Sequence, residues 1–124
     1  MMRTWLVVGS VSGFLSVAAG AFGAHALRRR VPPDLLSVWE TGARYQMVHA
    51  LAIVAVGLLA SRSPSGAANA AAWAFVVGTI VFSGSLYALA WTGLRGLGAV
   101  TPIGGLAFLA GWALLAVAAF RAAP

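Results

Sequence analysis

The side chains best suited to chemistry lie in one stretch of the chain, which reads ETGARYQMVH from Glu40 onward. Glu40 and Arg44 are four residues apart with the acid first, which is the favourable order for an ion pair on a helix. Thr41, Tyr45 and His49 recur at the same spacing and share a neighbouring face. A helix over this stretch would therefore present an acid, a guanidinium, a phenol and an imidazole within about three turns.

The composition places this stretch in a membrane. Of the 124 residues, 61% are hydrophobic, a further 15 are glycine and only 8% are charged, and the mean hydropathy is +0.94. Soluble domains carry about 25% charged residues, and one of this size could not bury so much apolar surface. The composition excludes disordered, collagen-like and coiled-coil chains. It indicates an integral membrane protein with one domain, residues 1–124.

Uncharged runs between arginines define the membrane spans. About 20 residues cross the hydrocarbon layer as a helix, and four runs are close to that length or longer. The predicted transmembrane helices are Trp5–Leu27, Ala43–Ala60, Ala68–Trp91 and Val100–Phe120. The predicted fold class is therefore all-α, an integral membrane four-helix bundle.

The segment before the second span is amphipathic. Two prolines followed by Asp34 are typical of a helix start, with Asp34 as the N-cap. The apolar face that follows is formed by Leu35, Val38, Trp39 and Gly42. We predict a short interfacial helix over residues 34–42 that lies on the membrane and leads into the second span.

All basic side chains are arginines, and they give a formal charge of +6. These arginines stand at the ends of apolar runs and form no dense basic face, which argues against a nucleic-acid partner. Membrane lipids are the expected partners. Five arginines fall on the side of the 28–44 and 92–99 connections, and three fall on the side of the termini. The positive-inside rule therefore predicts that both termini lie outside the cytoplasm.

Polar side chains gather at the cytoplasmic end of the predicted bundle, because successive spans alternate in direction. The candidate ligand-binding residues are His25, Glu40, Arg44, Tyr45, Gln46, His49, Tyr87 and Thr101. We expect Arg44 and His49 to converge with His25 or Thr101 inside the bundle. There Arg44 would hold a small anionic ligand or a lipid headgroup. The orienting donors would be His25, Gln46 and His49, flanked by Tyr45 and Tyr87.

Plainer roles are open for the same residues. Glu40 and Arg44 would form a structural pair that braces the entry of the helix, and His49 would satisfy a backbone carbonyl or a tyrosine hydroxyl. Two histidines and one carboxylate without recognisable ligand spacing do not predict a metal site. The chain has no cysteine, which removes thiolate chemistry. No cofactor is predicted, and the protein is expected to be non-enzymatic.

Small residues line several predicted helix faces. Gly9 and Gly13 are four residues apart in the first span, and Gly104 and Gly111 are one heptad apart in the fourth. Such spacings let helix backbones approach closely in a membrane. Packing within one chain is the favoured interpretation, and a homo-oligomer through these faces is the alternative.

Four ordered motifs make the chain similar to a known family. They are GAFGAHAL from Gly20, ETGARYQMVHAL from Glu40, FSGSLY from Phe82, and TPIGG from Thr101 with Gly111-Trp112 after it. Together they resemble the YgdD family of small four-span membrane proteins of unknown function, over essentially the whole chain. The resemblance implies a bacterial inner-membrane location and supplies no catalytic residues.

Two other function classes compete with ligand binding. A small proton-coupled transporter of the multidrug-resistance type has a similar length, but it needs a carboxylate in its first span, and residues 4–27 contain none. A lipid- or thiol-modifying enzyme would draw on the polar stretch that begins at Glu40, yet no activated nucleophile or nucleotide-binding loop accompanies it. The favoured interpretation remains a membrane protein whose polar pocket binds an anionic ligand.

Overall fold

Helices account for nearly all of residues 1–123, which are the residues that the computed structural model describes. The α-helices are α1 (Met2–His25), α2 (Pro33–Arg62), α3 (Gly66–Gly78), α4 (Gly84–Thr92) and α5 (Thr101–Arg121). A π-helical segment, Thr79–Ser83, joins α3 to α4 into one continuous third span. Short 3-10 helices, Leu27–Arg29 and Arg95–Ala99, follow α1 and precede α5. The last residue of the predicted domain, Pro124, lies outside the described residues.

Four helical segments are long and apolar enough to cross a bilayer. They are Met2–Arg29, Pro33–Arg62, Gly66–Thr92 and Arg95–Arg121. The part of the chain that the structure describes contains no strand. The prediction of an all-α protein with four membrane-spanning helices is confirmed.

The second span differs from the prediction at its start. α2 runs unbroken for 30 residues, about 45 Å, so residues 34–42 are its first turns and not a separate interfacial helix. No proline follows Pro33 within α2, and Gly42 is buried against a neighbouring span, so nothing bends the backbone there. Asp34 lies in the first turn and is not the N-cap, a position that Pro32 occupies.

α2 is the central helix of the molecule. It contacts α1, α3 and α4, whereas α5 packs mainly on the third span. In the most apolar 18-residue stretch of α2, half of the residues are buried inside the protein, whereas only 17% are buried in the corresponding stretch of the first span. The apolar core lies between α2, α3 and α5, where it contains Ile53, Val56, Phe75 and Phe108. α1 therefore leaves most of its surface for lipid.

Glycines set the distances between the spans. An added Cβ at Gly9 would lie 2.7 Å from a side chain of α2, and one at Gly111 would lie 2.6 Å from a ring of α3. Gly104 likewise lies against the third span. The prediction that small-residue faces pack within the chain is confirmed at these positions, whereas an added Cβ at Gly20 or Gly105 would meet nothing within 4 Å.

Candidate functional site

The predicted site residues divide into two groups in the structure. One group lies among the helices, where each side chain makes a hydrogen bond within the protein, and it contains Gln46, His49, Tyr87 and Thr101. The other lies on the outside of the α1–α2 pair, where Glu40 and Arg44 line an open groove. The residues of the single polar pocket that the sequence predicts therefore lie in two separate places.

Gln46 joins three helices through its side-chain amide. The Tyr87 hydroxyl donates a hydrogen bond of 2.7 Å to Gln46 Oε1. Gln46 Nε2 donates to the carbonyl and to the hydroxyl of Ser12, at 3.2 and 3.3 Å. Because Gln46 is only 7% exposed, these bonds satisfy an amide that would otherwise be costly to bury. They tie α1, α2 and α4 together at one level.

His49 uses both ring nitrogens within the protein. Trp112 Nε1 donates a hydrogen bond of 3.0 Å to His49 Nε2. An indole nitrogen can only donate, so the neutral imidazole carries its proton on Nδ1. That nitrogen lies 2.7 Å from the Tyr45 carbonyl, to which it donates. The imidazole also stacks on the Phe108 ring, with centroids 3.5 Å apart and an interplanar angle of 6°. This arrangement agrees with the plainer role of satisfying a backbone carbonyl.

Hydroxyl groups tie the third span to its neighbours. The Thr101 and Ser85 hydroxyls lie 2.6 Å apart and share a hydrogen bond between α5 and α4. Ser83 is buried and donates a hydrogen bond of 2.7 Å to the Gly42 carbonyl of α2. Thr101 thus has a hydrogen-bond partner inside the protein, and that partner is not a charged side chain.

Arg44 faces away from the interior, and the prediction that it converges with His49 is wrong. The buried face of α2 passes through Gly42, Gln46, His49 and Ile53, which are spaced by three or four residues. Arg44 is two residues from Gln46, about 200° around the helix, and it is exposed. This position keeps the guanidinium at a polar surface, whereas the interior would require a charged partner.

The predicted ion pair between Glu40 and Arg44 is not formed. Among residues 1–123, the one ion pair within 4 Å joins Arg95 Nη2 to Asp34 Oδ2 at 2.7 Å. Both partners of that pair are largely exposed, so it contributes little to stability. In the same described residues neither Glu40 nor Arg44 makes a side-chain hydrogen bond. Their charges are available to other molecules.

A groove between α1 and α2 collects these charges. Its volume is about 540 Å³. Its lining residues are Gly20, Ala24 and Arg28 on one side and Leu36, Glu40, Ala43 and Arg44 on the other. Gly20 and Ala24 of α1 are four residues apart, as are Leu36, Glu40 and Arg44 of α2, so each set lies on one ridge of its helix. Arg28 continues the first row from the 3-10 helix that follows α1. The small residues Gly20, Ala24 and Ala43 form the floor of the groove, and the charged side chains stand at its edges.

The two ridges run in opposite directions. Gly23 of α1 lies against Trp39 of α2, since an added Cβ at Gly23 would be 2.7 Å from that indole. Relative to this contact, Arg44 is five residues farther into the span and Glu40 is one, whereas Arg28 is five residues beyond Gly23 toward the start of α2. The groove therefore presents a positive, a negative and a positive charge in order from the membrane interior toward water.

The groove lies near the end of the second span at which α2 begins. About 20 helical residues cross the hydrocarbon layer, and Arg62 ends α2 on the opposite side. Counting 20 residues back from Arg62 places the near hydrocarbon boundary at roughly residue 42. Arg44 then lies at this boundary, and Glu40 and Arg28 lie in the headgroup layer.

His25 and the Tyr45 phenol take part in neither group. His25 is exposed at the end of α1 and makes no side-chain hydrogen bond among residues 1–123. The Tyr45 side chain is 41% exposed, and its ring lies 4.6 Å from that of Phe82. Across the described part of the chain, no three histidine, aspartate or glutamate side chains are grouped to hold a metal ion.

Sequence reasoning missed several residues of these two groups, among them Ser12, Trp112 and Arg28. Ser12 and Trp112 lie 34 and 63 residues from the partners they bind, and no local spacing links them to those partners. Arg28 belongs to the arginine triplet 28–30, which the sequence analysis uses only to predict topology. Its four-residue spacing from Ala24 is the one local sign that both residues lie on the same side of the chain.

Comparison with known proteins shows the family. Residues 19–105 match the model of a family described as protein of unknown function, DUF423. The chain belongs to the DUF423 family. It is 42% identical over 121 residues to the UPF0382 membrane protein YwdK of Bacillus subtilis, covering 97% of this chain and 98% of that protein. It is 43% identical over 120 residues to a UPF0382 membrane protein of Staphylococcus haemolyticus, with 97% and 98% covered. No solved structure matches the chain.

DUF423 membership agrees with the expectation of a small membrane protein of unknown function, under a family name other than the one the motifs suggest. The relatives are named membrane proteins and the chain has four spans, so this DUF423 protein is a multi-pass membrane protein. All the residues that line the groove fall within the matched region. Trp112 lies beyond it.

Proposed function

We propose that this DUF423 protein binds the phosphate of a membrane phospholipid headgroup in the groove between α1 and α2. The observation that carries the proposal is that Arg28 and Arg44, from neighbouring helices, line the same groove. A guanidinium presents paired N–H donors that match two phosphate oxygens. In this proposal Arg44 holds the phosphate, and Arg28, farther out on the facing side of the groove, adds positive charge that attracts it.

The depth of the groove favours a lipid over a soluble anion. By the span count Arg44 lies next to the hydrocarbon boundary, from which its long side chain reaches outward to the phosphate layer of a bilayer. A soluble phosphate would have to leave water to bind there. The floor at Gly20 is open, since an added Cβ there would meet nothing within 4 Å. Acyl chains below a bound phosphate would run along the exposed apolar side chains of α1, such as Val17.

The location that we propose is the bacterial inner membrane, with the groove in the cytoplasmic leaflet. Support comes from the resemblance to the YgdD family and from the five arginines on that side of the chain. Anionic lipids of the cytoplasmic leaflet are attracted to arginine-rich segments beside a span. The termini would then lie outside the cytoplasm.

Native mass spectrometry of the full chain in a mild detergent, with phosphatidylglycerol added, tests the proposal. We expect Arg44→Gln to reduce the retained lipid about tenfold, because it removes charge-assisted hydrogen bonds to the phosphate. Arg28→Gln should also reduce it, because it removes a positive charge that lines the groove. Arg29→Gln is the matched control, since it removes the same charge from the same triplet without touching the groove lining. It should retain lipid as the wild type does.

A second arm separates the two sources of phosphate. Glycerol 3-phosphate offers the same chemistry without acyl chains, and we expect no retained mass from it. Retention of glycerol 3-phosphate without retention of phospholipid would exclude a lipid ligand. Equal losses of phosphatidylglycerol in Arg29→Gln and Arg44→Gln would indicate general charge attraction and would exclude the groove as the site.

A further inference from the structure

Glu40 is an unusual member of a groove that binds a phosphate. The chain has two acidic residues, and the other, Asp34, is bonded to Arg95 at 2.7 Å. Glu40 lines the groove together with Arg28 and Arg44, and among residues 1–123 its carboxylate makes no hydrogen bond or ion pair. A carboxylate repels a phosphate, so its presence weakens binding unless it takes a contact of its own.

The order of charges along the groove shows what that contact would be. Glu40 lies four residues outward from Arg44 on the same ridge, about 6 Å nearer to water. In a phospholipid the phosphate is next to the glycerol backbone, and the variable headgroup extends from it toward water. A phosphate at Arg44 therefore brings the variable part of the headgroup to Glu40.

We infer that Glu40 selects phospholipids whose headgroup carries N–H or O–H donors beyond the phosphate. An ionised carboxylate only accepts hydrogen bonds, so it is satisfied by an ammonium or a hydroxyl and by nothing that lacks a donor. This inference rests on the proposed phosphate site and adds a specificity to it. The ammonium of phosphatidylethanolamine and the glycerol hydroxyls of phosphatidylglycerol both supply the required chemistry.

Two pairs of lipids with identical acyl chains test the selection at constant headgroup charge. Phosphatidylethanolamine and phosphatidylcholine are both zwitterionic, but only the first has N–H donors. Phosphatidylglycerol and phosphatidylmethanol are both anionic, but only the first has hydroxyls. The donor-bearing lipid is the smaller of the first pair and the larger of the second, so selection by size would give opposite preferences in the two pairs.

Native mass spectrometry of the full chain with equal amounts of each pair gives the ratio of retained lipids. We expect the wild type to prefer the donor-bearing lipid about two- to tenfold, the range of one hydrogen bond. Glu40→Ala should bring the ratios close to one while phospholipid is still retained. Asp34→Ala is the control, because it removes the other carboxylate at the same end of the protein and should leave the ratios unchanged.

The outcomes separate this inference from the function on which it rests. A preference in one pair alone that Glu40→Ala abolishes supports the inference and identifies the ammonium or the hydroxyl as the donor. Ratios near one in the wild type, or ratios that Glu40→Ala leaves unchanged, overturn the inference. The phosphate site would still stand if Arg44→Gln lost all four lipids, and it would fail if Arg44→Gln retained them.

Discussion

Gly104 of α5 lies directly against Phe82 in the π-helical segment of the third span. An added Cβ at Gly104 would lie 2.7 Å from the Phe82 Cβ and would also meet the Phe82 backbone. One turn earlier in α5, the Thr101 hydroxyl lies 2.6 Å from that of Ser85. The missing side chain at Gly104 therefore lets α5 approach closely enough for this hydrogen bond to form.

Alanine at Gly104 should be destabilising, whereas alanine at the next residue should not. We expect Gly104→Ala to lower the free energy of unfolding by about 1–3 kcal/mol, because the added methyl group meets backbone that cannot rotate away. Gly105→Ala should be neutral or stabilising by up to about 1 kcal/mol, since it meets nothing within 4 Å and alanine favours a helix. Equilibrium unfolding in mixed micelles, followed by circular dichroism, measures both. Equal effects would contradict the close approach of α5.

The hydrogen bond between Trp112 and His49 gives a second prediction. Trp112→Phe keeps an aromatic ring but leaves His49 Nε2 without its donor, and we expect it to lower the free energy of unfolding by about 0.5–2 kcal/mol. Trp73→Phe is the control, because Trp73 is 56% exposed and its indole nitrogen makes no hydrogen bond within residues 1–123. The same unfolding assay compares the two variants. A loss in Trp73→Phe as large as that in Trp112→Phe would show that the hydrogen bond contributes nothing.

The spans could be predicted from the sequence because their signal is local. Charge-free runs bounded by arginines predict the number of spans, and the two prolines predict a helix start close to the observed one at Pro33, although the N-cap is Pro32 and not Asp34. The straight course of α2 through residues 34–42 could not be predicted, because an amphipathic segment has the same pattern whether it lies on the membrane or continues into it. A distant contact decides the matter, since Trp39 Nε1 donates a hydrogen bond of 2.7 Å to the Ala19 carbonyl of α1.

The candidate site was predictable only in its residue types. Spacing shows that Glu40 and Arg44 share one ridge of α2 and that Gln46 and His49 share another, but it does not show which ridge faces the other helices. That choice depends on partners far along the chain, such as Tyr87 and Trp112. Grouping the polar residues by depth alone therefore places side chains that form hydrogen bonds inside the bundle together with side chains that line an external charged groove.

The arginine distribution predicts which side of the membrane each loop faces, and the chain suits a direct test because it has no cysteine. Gly96→Cys places one thiol in the exposed 3-10 helix before α5, and Ala122→Cys places one just beyond the end of α5. The positive-inside rule predicts that a membrane-impermeant maleimide labels Ala122→Cys in intact bacterial cells. It should label Gly96→Cys only after the membrane is permeabilised. The reverse pattern would move the groove to the outer leaflet, so that its lipid would have to come from there.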